Sequence, residues 1–162
     1  MKNTSKSIQY EMKTRFGNIY LIASDKGLRG VYWQKQDAPM VGDIEGKAAA
    51  LLALRTAARQ IGEYLEGKRR EFDLDLDFSG TPFQESVWKA LRGIPFGETI
   101  SYKQLAAKIR NPKAVRAVGS ANGKNPLCII IPCHRVIAAD GSIGGYAGGI
   151  PNKEKLLALE KA

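Results

Sequence analysis

Ser101-Tyr102-Lys103-Gln104-Leu105-Ala106-Ala107-Lys108-Ile109-Arg110-Asn111-Pro112-Lys113-Ala114-Val115-Arg116-Ala117-Val118-Gly119-Ser120-Ala121-Asn122-Gly123 decides how the second half of this chain folds. Ser101 and Gln104 have capping-box spacing, so a helix starts at Tyr102. Leu105, Ala106 and Ile109 give it an inward face. Asn111-Pro112 breaks that helix and, on this reading, caps a third one immediately. The third helix runs to about Asn122 and stops at Gly123. Val115 and Val118 fall on one side of it, and Lys113, Arg116 and Ser120 on another. Two short helices joined by a tight turn, the second bearing exposed cations, outline a helix-turn-helix. An ordinary amphipathic helix pair has the same spacing.

Working outward, Thr81-Pro82-Phe83-Gln84 repeats the capping device, and Val87, Trp88 and Leu91 give that helix an apolar face. Ile94-Pro95-Phe96-Gly97 ends it. Ser79-Gly80 is the expected boundary between an N-terminal domain, residues 1–78, and a C-terminal one, residues 79–162. Before the boundary, residues 7–14, 18–24 and 28–33 read as strands, Ile8, Tyr10 and Met12 alternating with polar residues. A helix follows from about Lys47 to Leu65, with Leu51, Leu54, Ala58, Ile61 and Leu65 at helical spacing and Gly67 as its stop. Phe72, Leu74 and Leu76 alternate with acids as one more strand. After the helix-turn-helix, the apolar run from Leu127 to Ile131 reads as a buried strand. A glycine-rich loop covers Asp140 to Gly149, and a helix closes the chain from about Asn152 to Glu160. The expected fold class is α+β: a short antiparallel sheet with a helix, then a mainly helical domain with a helix-turn-helix and a buried cysteine.

Composition narrows the function classes. The 162 residues carry 25 Lys+Arg against 16 Asp+Glu, a net charge of +9. Residues 1–80 hold 13 basic and 11 acidic side chains, whereas residues 81–162 hold 12 and 5, net +7. Such an asymmetry points to a polyanion met by the second half, although a basic solvated face has the same signature. Two cysteines in a chain this long exclude a disulfide-stapled scaffold, and with one histidine they exclude an intact zinc finger. No stretch is long and apolar enough for a membrane span, and the polar N-terminus lacks a signal core. The expected setting is the cytoplasm of a bacterial or archaeal cell, or the nucleus of a eukaryotic one.

Pro132-Cys133-His134-Arg135 puts a thiol beside the single histidine. The thiolate is the reactive form, and a neighbouring base and cation lower its pKa, parts that His134 and Arg135 supply on this reading. Adjacent strand residues point to opposite faces, so the pair meets only if the chain bends, which Pro132 and the following glycines permit. Taken alone, such a pair also fits a buried structural cysteine beside a surface histidine. Cys128, inside the apolar run, reads as structural.

Ile131-Pro132-Cys133-His134-Arg135-Val136 resembles the active-site signature of the O6-alkylguanine-DNA alkyltransferases. The resemblance extends to Thr81 through Gln84, Val87-Trp88, Ile94-Pro95 with Gly97-Glu98, and Ser101-Tyr102. It continues through Asn111 to Gly119, Asn125-Pro126, Gly145 to Gly149, and Leu156-Leu157 with Glu160. It covers nearly all of residues 79–162, while residues 1–78 fit the family's variable domain only loosely. It implies a DNA repair protein that moves an alkyl group from guanine O6 irreversibly onto Cys133, once per molecule and without a cofactor, and leaves O4-alkylthymine open as a second substrate.

By the same resemblance, His134 takes the thiol proton through a water, Glu160 orients and stabilises His134, and Asn125 holds the turn and bonds near the cysteine. Tyr102 donates to the departing guanine. Arg116 fills the stack vacated by a flipped nucleotide from a helix laid in the minor groove, a role in accord with the basic face found from spacing. Ser101, Tyr102, Lys113, Ala117 and Ser120 join it on the DNA. Tyr146, Ala147, Val136 and Gly148 form the base pocket. The implied partner is double-stranded DNA containing alkylated guanine, bound by a monomer with no metal and no membrane attachment.

Gly145 stands where many members have Asn, and Ala147 where some have Ser, which bears on pocket selectivity. Residues 1–80 lack the cysteines and histidines with which some members bind zinc. A methyl-phosphate-sensing zinc domain in front is also missing, which implies repair without transcriptional switching. Three other readings compete. A damage sensor would lack the acceptor cysteine, which is present. A helix-turn-helix regulator would carry more base-reading side chains around Arg116. A cysteine hydrolase built on Cys133, His134 and Glu160 would have no use for the basic helix.

Overall fold

In the computed structural model, residues 6–162 are described; the polar opening, residues 1–5, lies outside them. The chain divides into two compact units, Met1–Phe78 and Ser79–Ala162.

In the first unit, β1 (Ile8–Thr14), β2 (Gly17–Ser24) and β3 (Gly27–Tyr32) form an antiparallel sheet in that order. Ile19, Leu21 and Ala23 alternate into the core from β2, joined by Leu28 and Val31 from β3. The helix α1 (Ala49–Leu65) covers them with Leu54, Ala57, Ile61 and Tyr64, so its buried face is centred beside the expected stripe, with Leu51 and Ala58 at its margins. It ends at Gly67 (φ 77°), whose N–H and that of Lys68 return to the carbonyls of Tyr64 and Glu63, a Schellman stop.

Two expectations for this unit are corrected. On β1 the fully buried residue is Gln9, not one of the apolar positions. Its amide bonds the carbonyls of Gln36 and Ala38 at 2.9 and 3.1 Å, and its own carbonyl takes the Gln36 N–H, so its polar atoms are satisfied without water. Phe72 to Leu76 make no strand beyond a single bridge of Leu76 to Leu28. The side chain of Gln60 binds both the N–H and the C=O of Asp73 at 2.9 Å, taking the groups that a ladder would use.

The second unit opens with α2 (Pro82–Arg92) behind the Thr81–Gln84 capping box. Then come β4 (Ile100–Ser101), α3 (Tyr102–Lys108) and α4 (Val115–Gly123). The indole of Trp88 donates to the Ala121 carbonyl at 2.9 Å and fastens α2 to α4. Asn111 does not cap α4. A separate turn, closed by the Ala114 N–H on the Asn111 carbonyl, precedes it, and the helix begins without a side-chain cap. Lys113 therefore lies in that turn and not on the helix face, and Val115 is exposed while Val118 is buried.

Residues 127–136 are all buried, but Leu127 to Ile131 form no strand. The run coils back, the Ile131 N–H bonding the Leu127 carbonyl and Ile129 held at φ 73°. Cys133–Arg135 form one turn of 3-10 helix, followed by β5 (Val136–Ile137), which pairs in parallel with β4. The last helix, α5 (Ile150–Lys161), turns Lys153, Leu156 and Glu160 inward at i, i+3 and i+7. No helix among the described residues is long and apolar enough to cross a membrane.

Candidate active site

The 3-10 turn separates three neighbours that a strand would have alternated. Cys133 is 2 % exposed and lines a cavity of about 250 Å³ with Tyr102, Asn122, Gly145, Tyr146 and Ala147. His134 and Arg135 both turn to α5. Glu160 receives Arg135 through Nε to Oε1 at 2.8 Å and through Nη2 to Oε2 at 2.9 Å, while His134 Nε2 lies 2.7 Å from Oε2. The Gly97 N–H adds a weaker bond at 3.3 Å, and Arg135 also donates to the Ile94 carbonyl at 2.7 Å. The guanidinium and the buried carboxylate thus form a two-pronged ion pair.

Burial pushes the His134 pKa down, against the pull of Glu160, so the imidazole is neutral at pH 7 and able to accept a proton. The Cys133 thiol lies below its ordinary value. The largest cause is a hydrogen bond from Cys128, with Asn125 and the Lys153 charge acting the same way and burial opposing them. This corrects one expectation: Arg135 serves Glu160 and not the thiol.

Asn125 closes the turn, its amide donating to the Ile131 carbonyl at 2.7 Å and its oxygen accepting from the Leu127 N–H at 2.9 Å. Tyr102, half-buried at the start of α3, has its pKa raised, first by burial and then by Cys133, while a hydrogen bond from Asn122 opposes. It keeps its proton and is a donor at neutral pH. Gly144 (φ 72°) is where the loop passes Tyr102. A Cβ there would sit 3.2 Å from the phenol oxygen and 3.6 Å from Lys153 Nζ.

Lys153 escaped the sequence reading. Its side chain is fully buried, and Nζ donates to the Val136 carbonyl at 2.6 Å and to the Gly145 carbonyl at 3.0 Å. It ties the cysteine segment to the glycine loop. Burial lowers its pKa to about 8. Its spacing with Leu156 and Glu160 was visible, but a lysine on a terminal helix reads as solvated. Asn122, which reaches the Cys133 carbonyl at 3.4 Å, was missed for a similar reason.

Of the expected pocket residues, Tyr146 and Ala147 line the cavity. Val136 is buried with its carbonyl on Lys153, and Gly148 accepts from the Asn152 side chain at 2.9 Å; neither is among the lining residues. Arg116, Ala117 and Ser120 are exposed on α4, and Lys113 is exposed before it. The Ser101 hydroxyl caps α3 by accepting from the Gln104 N–H at 3.0 Å. Among the described residues, no three His, Cys, Asp or Glu are grouped to hold a metal.

Comparison with known proteins follows the same division. The family profile for the 6-O-methylguanine DNA methyltransferase DNA binding domain matches residues 82–162, and that for the ribonuclease-like domain of the same enzymes matches residues 10–78. A methylated-DNA–protein-cysteine methyltransferase of Methanosarcina barkeri is 48 % identical over 153 residues, covering 93 % of this chain and 94 % of the relative. That of Methanosarcina acetivorans is 55 % identical over 147 residues, covering 89 % and 92 %. The crystal structure of Mycobacterium tuberculosis OGT in complex with DNA superposes with a TM-score of 0.83 at 40 % identity, covering 95 % of this chain and 92 % of that one.

Proposed function

This chain belongs to the O6-methylguanine-DNA methyltransferase family, and on that premise we propose that it repairs duplex DNA by flipping out O6-alkylguanine and taking the alkyl group irreversibly onto Cys133. The observation that carries the reading is a buried thiol on the wall of a small cavity, with phenols beside it and a His134–Glu160 pair behind it.

With Nε2 engaged by Glu160, Nδ1 of His134 is the ring nitrogen that accepts the Cys133 proton, through a water. Glu160 offsets the imidazolium charge so formed. The thiolate attacks the alkyl carbon. A carbon–sulfur bond forms, the carbon–oxygen bond breaks, and its electron pair leaves on the guanine. Tyr102 donates a hydrogen bond to the base as that charge develops. The product is a thioether that water does not reverse, so each molecule reacts once.

A base stacked in a duplex cannot enter such a cavity, so the nucleotide leaves the stack at a cost of about a few kcal/mol. Arg116, exposed on a helix face otherwise of small residues, fills the gap. Ala117 and Ser120 allow the close approach a minor groove requires, and Lys113, Ser101 and Tyr102 meet phosphates. The test is Arg116→Ala. It should slow methyl removal from O6-methylguanine in duplex DNA by about tenfold or more while leaving reaction with the free base near wild type. Equal losses on both substrates would refute the stacking role.

A further inference from the structure

Asn122 is the polar side chain that α4 buries, alongside Val118 and Ala121. It is 4 % exposed and stands on the wall of the cavity that Cys133, Tyr102 and Tyr146 also line. Its Nδ2 donates to the Cys133 carbonyl in a long bond of 3.4 Å. Its Oδ1 accepts from no group among the described residues. A buried carbonyl oxygen without a donor is disfavoured, and native structures keep few of them. This one belongs to a residue on the wall that a base has to meet. Cys133 is as deeply buried on the same wall, so such depth is no bar to contact with an entering base.

Alkylation at O6 fixes the guanine ring in a form with no proton on N1. N3 and N7 are acceptors, and N9 is bonded to the sugar. The exocyclic 2-amino group is then the only N–H donor that the base carries. Backbone acceptors around the cysteine are already engaged. Lys153 Nζ occupies the carbonyls of Val136 and Gly145, and Asn122 itself occupies that of Cys133. Tyr102 supplies a donor to the cavity and Asn122 Oδ1 an acceptor. Together they match a base that accepts through its ring and donates through one amine.

We propose that Asn122 is a specificity-determining residue, its Oδ1 accepting the exocyclic 2-amino group of the flipped O6-alkylguanine and so favouring guanine over purines that lack that group. The inference rests on the reading of the cavity as the pocket for that base. It gives α4 two tasks, with Arg116 turned outward to the duplex and Asn122 inward to the base.

The experiment measures single-turnover methyl transfer to Cys133 from two duplexes. One carries O6-methylguanine and the other O6-methylhypoxanthine, which differs only in lacking the 2-amino group. Wild-type protein should react with the guanine duplex faster by about tenfold or more. Asn122→Leu, of similar bulk but without an acceptor, should slow the guanine reaction by about tenfold and leave the hypoxanthine reaction near wild type, so that the preference collapses. Any difference in the ease of flipping the two bases is common to both proteins and cancels in that comparison. Asn122→Asp, which keeps an oxygen in place, should retain the preference even where both rates fall. It also keeps the test open should leucine unfold the chain. An equal loss on both duplexes in Asn122→Leu would give Asn122 a merely structural role and overturn the proposal, as would a wild type that treats the two duplexes alike. Wild-type protein that took no methyl group from either duplex would remove the acceptor reading of Cys133 as well.

Discussion

Glu160 holds its neighbours to different tasks through one carboxylate. It fixes Arg135 in two bonds and sets the His134 ring at 2.7 Å, all buried. Because burial lowers the His134 pKa, the unfolded chain binds the proton more readily than the folded one below the ordinary histidine value of about 6.5. Stability is therefore full above that value and declines as the pH falls through it. Thermal melts should show a midpoint lower at about pH 5.5 than at about pH 7.5. Much of that difference should vanish in His134→Gln, since the chain has no other histidine. An identical acid decline in the variant would locate the titration elsewhere. At this scale the sequence was legible where chemistry sits on adjacent residues, as in Cys133-His134-Arg135. It was opaque where a residue's type masks its surroundings: Lys153 looks solvated until α5 turns it inward onto the Val136 and Gly145 carbonyls.

Helices with side-chain caps were legible to within a residue or two, because a capping box is a local interaction. Thr81–Gln84 and Ser101–Gln104 form as their spacing requires. The apolar runs were not, because burial is compatible with any backbone whose polar groups are satisfied. Leu127 to Ile131 satisfy theirs within a coil and through Asn125, and Asp73 satisfies its own through Gln60. The end of α3 carries a further detail. The Arg110 N–H returns to Ala107 and the Asn111 N–H to Ala106, a Schellman stop with Arg110 at φ 59° in the place glycine usually takes. A left-handed residue with a Cβ costs about 1–2 kcal/mol, and glycine's added freedom when unfolded offsets part of the gain from relieving it. Arg110→Gly should therefore stabilise the chain by about 0.5–1 kcal/mol in urea titration. A loss of stability would mean that the arginine side chain contributes more than its backbone strain.

Across the whole chain, the two units differ in charge as well as in fold. The second carries nearly all the net positive charge, and the exposed Arg116 and Lys113 sit on and beside α4. The domain-level pattern was readable because a charge asymmetry and a composition break survive without any tertiary information. The loop that shapes the cavity was less so, since which of its residues face Cys133 depends on Lys153 and on the passage of Gly144 beside Tyr102. The central claim is that Cys133 is a single-use alkyl acceptor. Its most direct test is the intact mass of the protein after incubation with excess duplex DNA containing O6-methylguanine, followed by peptide mapping. The account predicts a gain of about 14 Da, one methylene, on Cys133 alone, stopping at one per molecule. Methyl removal that continues past one per molecule, or a mass gain that maps to another residue, would contradict it.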